Sequence, residues 1–354
     1  MMIDKIAMHK KFWEGQGTSL ILIPPFKADL YDLNDYPRRF YNPKEMWETE
    51  IKRAKAVIGW PTDGIPTVRS NLGVITIPAM AGQSFQTIEN SMPWPGKPLS
   101  IEEIRATQDS QLIDSEVFKL ASDFYNFHRE SNETNIAAYL PDTQGIFDIA
   151  HLLYGDEIFI SLFDTEKGNW TTELMEISLN LYIRATKALK AVLKEDSGTM
   201  IHGHGTEQGV YFSHAGARIA EDTAILLSPD MIEQSIIPFV KKSAHPFGGA
   251  FLHYCGYHPT LFNQLTELPE IKAIDLGNPE KYITKNILER CAETGTVLYS
   301  RIAEEPGENW KDYINRIGSL VASTGARVIL RPKVFPESRE ECKEMLERWH
   351  DLTS

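Results

Sequence analysis

The stretch 248–276, GGAFLHYCGYHPTLFNQLTELPEIKAIDL, decides the fold. Phe251-Leu252-His253-Tyr254-Cys255 is a short apolar and aromatic run stopped by Gly256, which reads as a strand, and a second such run follows at Ile271 to Leu276. Side chains two apart on a strand point the same way, so His253 and Cys255 stand side by side on one face. An imidazole and a thiol presented together just before a glycine turn can form half of a zinc site. The other reading of a bare H-x-C is a buried cysteine beside a hydrogen-bonded histidine.

Working outward, short apolar runs recur at Asn135–Tyr139, Thr199–His202, Thr223–Leu226, Ala250–Cys255, Ile271–Leu276, Thr296–Tyr299 and Ala326–Leu330. Helical segments separate most of them. Glu173 to Leu193 carries Leu174, Ile177, Leu181, Ala188, Leu189 and Val192 on one face. Ser228-Pro229 opens another helix, and Ser338 with Glu341 makes a capping box for the last one. Strands alternating with helices imply parallel pairing through right-handed crossovers. With one further strand expected between Gly59 and Val68, the pattern predicts an α/β protein, a TIM (β/α)8 barrel.

Residues 1–57 read as a mostly helical N-terminal extension, in which Asn42-Pro43 opens a helix through Met46, Trp47, Ile51 and Ala54. Residues 58–354 are assigned to the barrel. No linker or composition shift divides them, which favours one barrel over two doubly wound domains. Gly59 to Pro98 is punctuated by proline and glycine and is expected to hold a hairpin or a long loop. A helix over Ser115 to His128 follows.

The 354 residues are 42% hydrophobic, enough for one large core or two smaller ones, and carry a net charge of −13. That balance argues against nucleic acid and against an anionic membrane surface as partners. The 3 cysteines, Cys255, Cys291 and Cys342, are widely spaced and form no CxxC, which fits a reducing compartment. Cys342 shares a helix face with Met345, Leu346 and Trp349, and Cys291 lies beside Ile287 and Leu288, so both read as core. The opening MMIDKIAMHKKFWEGQG holds no apolar h-region, and the chain is expected to be soluble and cytoplasmic.

Barrel active sites sit at the C-terminal strand ends, where His202-Gly-His204-Gly-Thr206-Glu207, His253-Tyr-Cys255, Asp275, Arg301 and Arg331-Pro-Lys333 fall. Glu221-Asp222 is placed where the fourth strand begins, or in the loop before it. His202 and His204 either orient a substrate, bind metal or hydrogen-bond to their own loop. Asp222 is an acid–base or substrate-contacting candidate, with a capping role as its alternative. Asp275 ends an apolar strand, and burying a carboxylate without a partner is costly, so a contact behind His253 would suit it. Asp63, Arg69 and Asn71 are placed in a polar turn over the barrel mouth. Asp222, Asp275 and His204 are thus the catalytic candidates; Arg69, Asn71, His202 and Glu207 are the substrate-binding ones.

The segments 220–239 (AEDTAILLSPDMIEQSIIPF), 248–265 (GGAFLHYCGYHPTLFNQL) and 271–282 (IKAIDLGNPEKY) resemble the uroporphyrinogen decarboxylase superfamily, as does 139–157 (YLPDTQGIFDIAHLLYGDE). The resemblance is nearest to its zinc-dependent branch, the methylcobalamin:coenzyme M-type methyltransferases, and runs from about Asn135 to Leu330. It implies a TIM barrel with an N-terminal helical extension. It also implies a zinc ion held by His253 and Cys255, a small thiol acceptor, and a methyl group carried on a corrinoid. The chain has no cobalamin-binding D-x-H-x-x-G motif, so a partner protein would supply the methylcorrinoid. Family members are often monomers or dimers.

Two departures stand out. Where that branch carries a third ligand, a cysteine after the last strand, this chain has Ile329-Leu330-Arg331-Pro332-Lys333. The third ligand would then be His202, His204, Glu207, Glu221, Asp275 or water. The arginine-rich N-terminal segment of the porphyrin decarboxylases is reduced to Arg69 within 66–73. A metal-free decarboxylase-like lyase and a non-catalytic barrel that binds a corrinoid or partner are the alternatives.

Overall fold

The computed structural model describes residues 2–25, 35–109, 111–162 and 168–354. Among these residues the strands are β1 (Leu20–Ile21), β2 (Ile65–Arg69), β3 (Phe85–Gln86), β4 (Trp94–Pro95), β5 (Ala137–Tyr139), β6 (Met200–His202), β7 (Gln208–Phe212), β8 (Ala217–Ala220), β9 (Ala250–Tyr254), β10 (Ile271–Leu276), β11 (Val297–Ser300) and β12 (Val328–Leu330). Six of them form a wholly parallel sheet in the order β1-β12-β11-β10-β9-β8. A second sheet runs β5-β2-β7-β6, with β2 parallel to β5 and antiparallel to β7. The fold is therefore mixed α/β around a parallel sheet. Its strand ladders do not join into one closed ring among the described residues.

Bonds outside the ladders span both gaps between the sheets. On one side Asp63 N donates to Ile21 O at 3.0 Å, and Ile21 N and Ile23 N donate to the side chains of Asp63 and Thr62. On the other, Gly145 N donates to Ala220 O at 2.6 Å, and the Thr143 hydroxyl donates to Arg218 O at 2.8 Å.

The period of two along each strand sorts the core into two clusters. Leu252, Tyr254, Ile274, Leu276, Leu298, Val328 and Leu330 belong to the cluster shared with the surrounding helices. Their alternates Phe251, Ala273, Val297, Tyr299 and Ile329 belong to a separate cluster with Phe12 and Trp13 of the N-terminal helix (Met2–Trp13) and with Val210 and Phe212 of β7. Continuing that alternation by two residues takes Phe251 to His253 and Cys255, Ala273 to Asp275, and Ile329 to Arg331. The polar groups thus form the layer above an apolar plug.

Several expectations need correction. The run Thr223–Leu226 is a 3₁₀ turn, and the strand lies just before it at Ala217–Ala220. Glu221 and Asp222 therefore follow a strand instead of starting one. The run at 199–202 pairs antiparallel with β7 and takes no part in the parallel sheet. Residues 20–21 of the lead-in, read as mostly helical, enter the sheet beside β12. The hairpin expected between Gly59 and Pro98 is present and pairs Phe85–Gln86 with Trp94–Pro95.

The β6–β7 hairpin explains the mispredicted strand. Its base is held where Lys190 Nζ donates to Thr199 O and Gly216 O. Its tip reaches β2, where Thr67 N donates to Glu207 O and Gln208 Nε2 donates to Ile23 O. Apolar residues of β6 and β7 fill the plug on the way across. The helix Arg339–Thr353 closes the chain, capped by Ser338 accepting from Glu341 N. No helix among the described residues is long and apolar enough to cross a membrane.

Candidate metal and catalytic site

β9 presents His253 with its backbone beside Asp275 of β10, because the parallel register aligns these two residues. The His253 ring spans two groups. Nδ1 lies 2.9 Å from Asp275 Oδ2, and Nε2 lies 3.3 Å from Cys255 Sγ. Nε2 also lies 3.6 Å from Asp222 Oδ1. Burial disfavours charge on this ring, but the facing Asp275 carboxylate outweighs it and raises the pKa to about 10.

Asp222 is aimed by two braces. Asp222 N and Thr223 N each donate to the Asp148 carboxylate at 2.9 Å. Glu221 turns the other way, toward the helix Ile146–Tyr154, and its Oε1 accepts from Ile146 N at 2.8 Å and Phe147 N at 3.4 Å. A Cβ at Gly145 would collide with the Glu221 carboxyl, so glycine is required for this approach. Burial, and then the neighbouring carboxylates, raise the pKa of both Glu221 and Asp148, the latter to about 6. Asp222 Oδ1 in turn accepts from Cys255 N at 2.6 Å, which ties the ends of β8 and β9 together.

His204 completes the cluster from the hairpin tip. Its Nε2 is 3.4 Å from Asp275 Oδ2, and its ring lies 4.4 Å from that of His253, centre to centre. Burial and the nearby cationic groups hold the pKa of both His202 and His204 well below the usual imidazole value, so both are neutral. Their charged neighbours include Arg69 and Arg218, which share Asp142: Arg69 at 2.6 Å and Arg218 at 3.6 Å. Burial opposes charge on Asp142, yet the two guanidinium groups keep its carboxyl below the ordinary range. Arg331 packs over Tyr299 and lies near His204.

Two groups of donor atoms lie within 4.8 Å of one another and could hold a cation: Asp222 with His253 and Cys255, and His204 with His253 and Asp275. His253 is common to both, through opposite nitrogens. Several buried atoms here have no hydrogen-bond partner among the described residues: His202 Nε2, His204 Nδ1, Asp275 Oδ1, Arg218 Nε and Glu221 Oε2. Each such atom is costly unless something else meets it.

The structure brings together His204, Asp222, His253, Cys255 and Asp275, with His202 alongside, its ring 6.0 Å from that of His204. Arg69 and Asn71 lie together, joined at 3.1 Å, beside Asp142. Glu207 pairs instead with Arg53 at 3.3 Å. Asp63 does not cover the mouth; it sits before β2 and is bound by Ile21 and His350. Cys291 and Cys342 are buried, and burial raises their thiols to about 12 and about 11. Asp142, Asp148 and Arg218 escaped the sequence reading. Asp142 and Asp148 sit in the segment 139–157, which the sequence offered only for its resemblance, and the displaced strand concealed that Arg218 lies beside Asp142.

No family model matches the chain, and no curated protein does. Among solved structures, 21 chains are similar. One, described as "methyltransferase from Methanosarcina mazei", superposes with a TM-score of 0.64 at 16% identity, over 96% of this chain and 96% of that one. At that identity the likeness shows a shared fold over essentially the whole length.

Proposed function

We propose that the chain is a zinc-dependent methyltransferase that moves a methyl group between a corrinoid, carried by a separate protein, and a small thiol. It would work from the C-terminal face of an eight-stranded barrel made of β1, β2, β5 and β8–β12. The bonds across both sheet gaps support such a ring. Residues 58–354 would form the barrel, and residues 1–57 would be the preceding segment that lends it β1. The solved methyltransferase of the same fold supports the reaction class.

The observation that carries this reading is the set Asp222, His253 and Cys255, a carboxylate, an imidazole and a thiol converging within 4.8 Å. These donor types suit zinc, and a carboxylate behind the imidazole is its usual support. Asp222 takes the third place that the last strand leaves empty of sulfur. It was absent from the ligands the sequence offered, which included its neighbour Glu221 instead. Zinc held there would lower the pKa of a thiol in its open position and so supply a thiolate nucleophile at neutral pH.

The chain's own groups prepare that step. Asp275 fixes the His253 ring so that Nε2 faces Cys255 and Asp222. Asp148 and Glu221 hold the turn that aims Asp222. Cys255 is exposed and the Asp222 side chain is 41% exposed, so the donor face is open to a bulky methyl carrier. Neutral His202 and His204 wall the inner side.

The test is methyl transfer from methylcobalamin to a panel of small thiols, with zinc-loaded and chelator-treated protein. Transfer that needs zinc and is lost in Cys255→Ser supports the proposal. A second reading, a metal-free lyase for an anionic substrate, draws on the inward Arg69 and Arg218 and on Arg331. It requires activity indifferent to chelator and to Cys255→Ser but lost in Arg218→Met.

A further inference from the structure

We propose that His204 is a positioning residue for the metal: it fixes Asp275, and through Asp275 the orientation of His253. This inference rests on the zinc reading above. The hairpin tip 203–206 is built to deliver one ring. His204 adopts φ 44°, a left-handed conformation that a residue with a Cβ rarely takes. The tip is anchored to β5 by the Tyr139 hydroxyl, which accepts from Gly205 N at 3.1 Å and donates to Thr206 O at 3.2 Å. A Cβ at Gly203 would press on the carbonyls of Gln208 and Thr206, so the turn tolerates no side chain there.

The strained backbone sets the His204 ring against His253, 4.4 Å centre to centre, and brings Nε2 within 3.4 Å of Asp275 Oδ2, the same oxygen that meets His253 Nδ1. One imidazole hydrogen-bonded to that oxygen and a second packed beside it at 3.4 Å limit the rotamers open to the carboxylate. The other oxygen, Oδ1, has no partner among the described residues, so little else restrains it. Remove His204, and Asp275 is free to rotate and present either oxygen to His253. The His253 ring then loses its fixed direction toward Cys255 and Asp222.

A residue kept only for packing should lower stability when removed and leave metal binding alone. The positioning role predicts the opposite for His204→Gly, since glycine accepts the left-handed conformation without strain. The experiment measures zinc affinity by competition with a chromophoric chelator, and thermal unfolding of the chelated protein, for the parent, His204→Gly and Asp275→Ala. Expected are affinities about ten-fold or more weaker in both variants, with the midpoint of chelated His204→Gly equal to the parent's or higher. A His204→Gly affinity within two-fold of the parent, in a parent that binds zinc, overturns the role of His204 alone. A parent that binds no zinc overturns the metal reading and this inference with it. A His204→Gly protein that fails to fold also counts against it, because relief of strain is part of the claim.

Discussion

At each end of the strands a buried aspartate lies between histidines, and the two are finished differently. At the N-terminal end Asp63 accepts from Ile21 N at 2.8 Å and contacts His350 Nε2 through both carboxylate oxygens, while its backbone oxygen meets His9 Nε2 at 3.0 Å. Lys5 adds a nearby positive charge. Every polar atom of that aspartate is met, and it ties the first helix, β1 and the last helix to one point. At the C-terminal end Asp275 meets two histidines through one oxygen and leaves the other bare, as His204 leaves Nδ1. The same residue types make a closed latch at one end and an incomplete shell at the other. Unmet buried polarity, more than residue type, is what singles out the C-terminal end as the candidate site.

Breaking each end separately should show this contrast. The largest effect is expected from His253→Ala, which removes the donor common to both candidate groups. Zinc retention after dialysis should fall from near one per chain to none, whereas His350→Ala should keep it. Next comes the apolar floor between the two ends. Phe212→Ala opens a void among Trp13, Phe251 and their neighbours and should cost about 3–5 kcal/mol in denaturant unfolding. Third, Asp63→Ala should lower stability by on the order of 3 kcal/mol with zinc affinity unchanged. Asp275→Ala should reverse that pattern, with affinity down about ten-fold or more.

The smallest effect concerns pH. The Asp63 carboxylate, chiefly through its hydrogen bond, raises the pKa of His350. A histidine raised on folding adds stability that is present in full below its unfolded value of about 6.5 and is lost as pH rises through the folded value. The parent should therefore lose a small increment of stability on going from neutral to mildly alkaline pH, and His350→Gln should flatten that slope. Zinc affinity should run the other way and rise with pH, since binding displaces a proton from His253, whose pKa the Asp275 carboxylate raises.

Much of this layout was legible beforehand because period-two alternation is a local property. His253, Cys255 and Asp275 follow from two apolar runs whose inward faces can be read off directly, and the helix starts at Pro43 and Pro229 announce themselves through their caps. The strand that precedes Glu221 was not legible. Ala217–Ala220 is four residues long and contains Arg218, while the stronger apolar signal of Thr223–Leu226 belongs to a turn. That displacement put Glu221 and Asp222 at the wrong end of a strand. The hairpin was missed for a related reason: its first strand looks like any parallel strand, and only β7 reveals the reversal. Asp142 and Arg218 form a pair 76 positions apart, which no local pattern contains.

The ligand set is the central claim, and X-ray absorption at the zinc edge tests it most directly. The account predicts a single sulfur at about 2.3 Å with nitrogen and oxygen filling the remaining positions, and loss of that sulfur shell in Cys255→Ser. Two sulfurs, or a spectrum unchanged by Cys255→Ser, would contradict it.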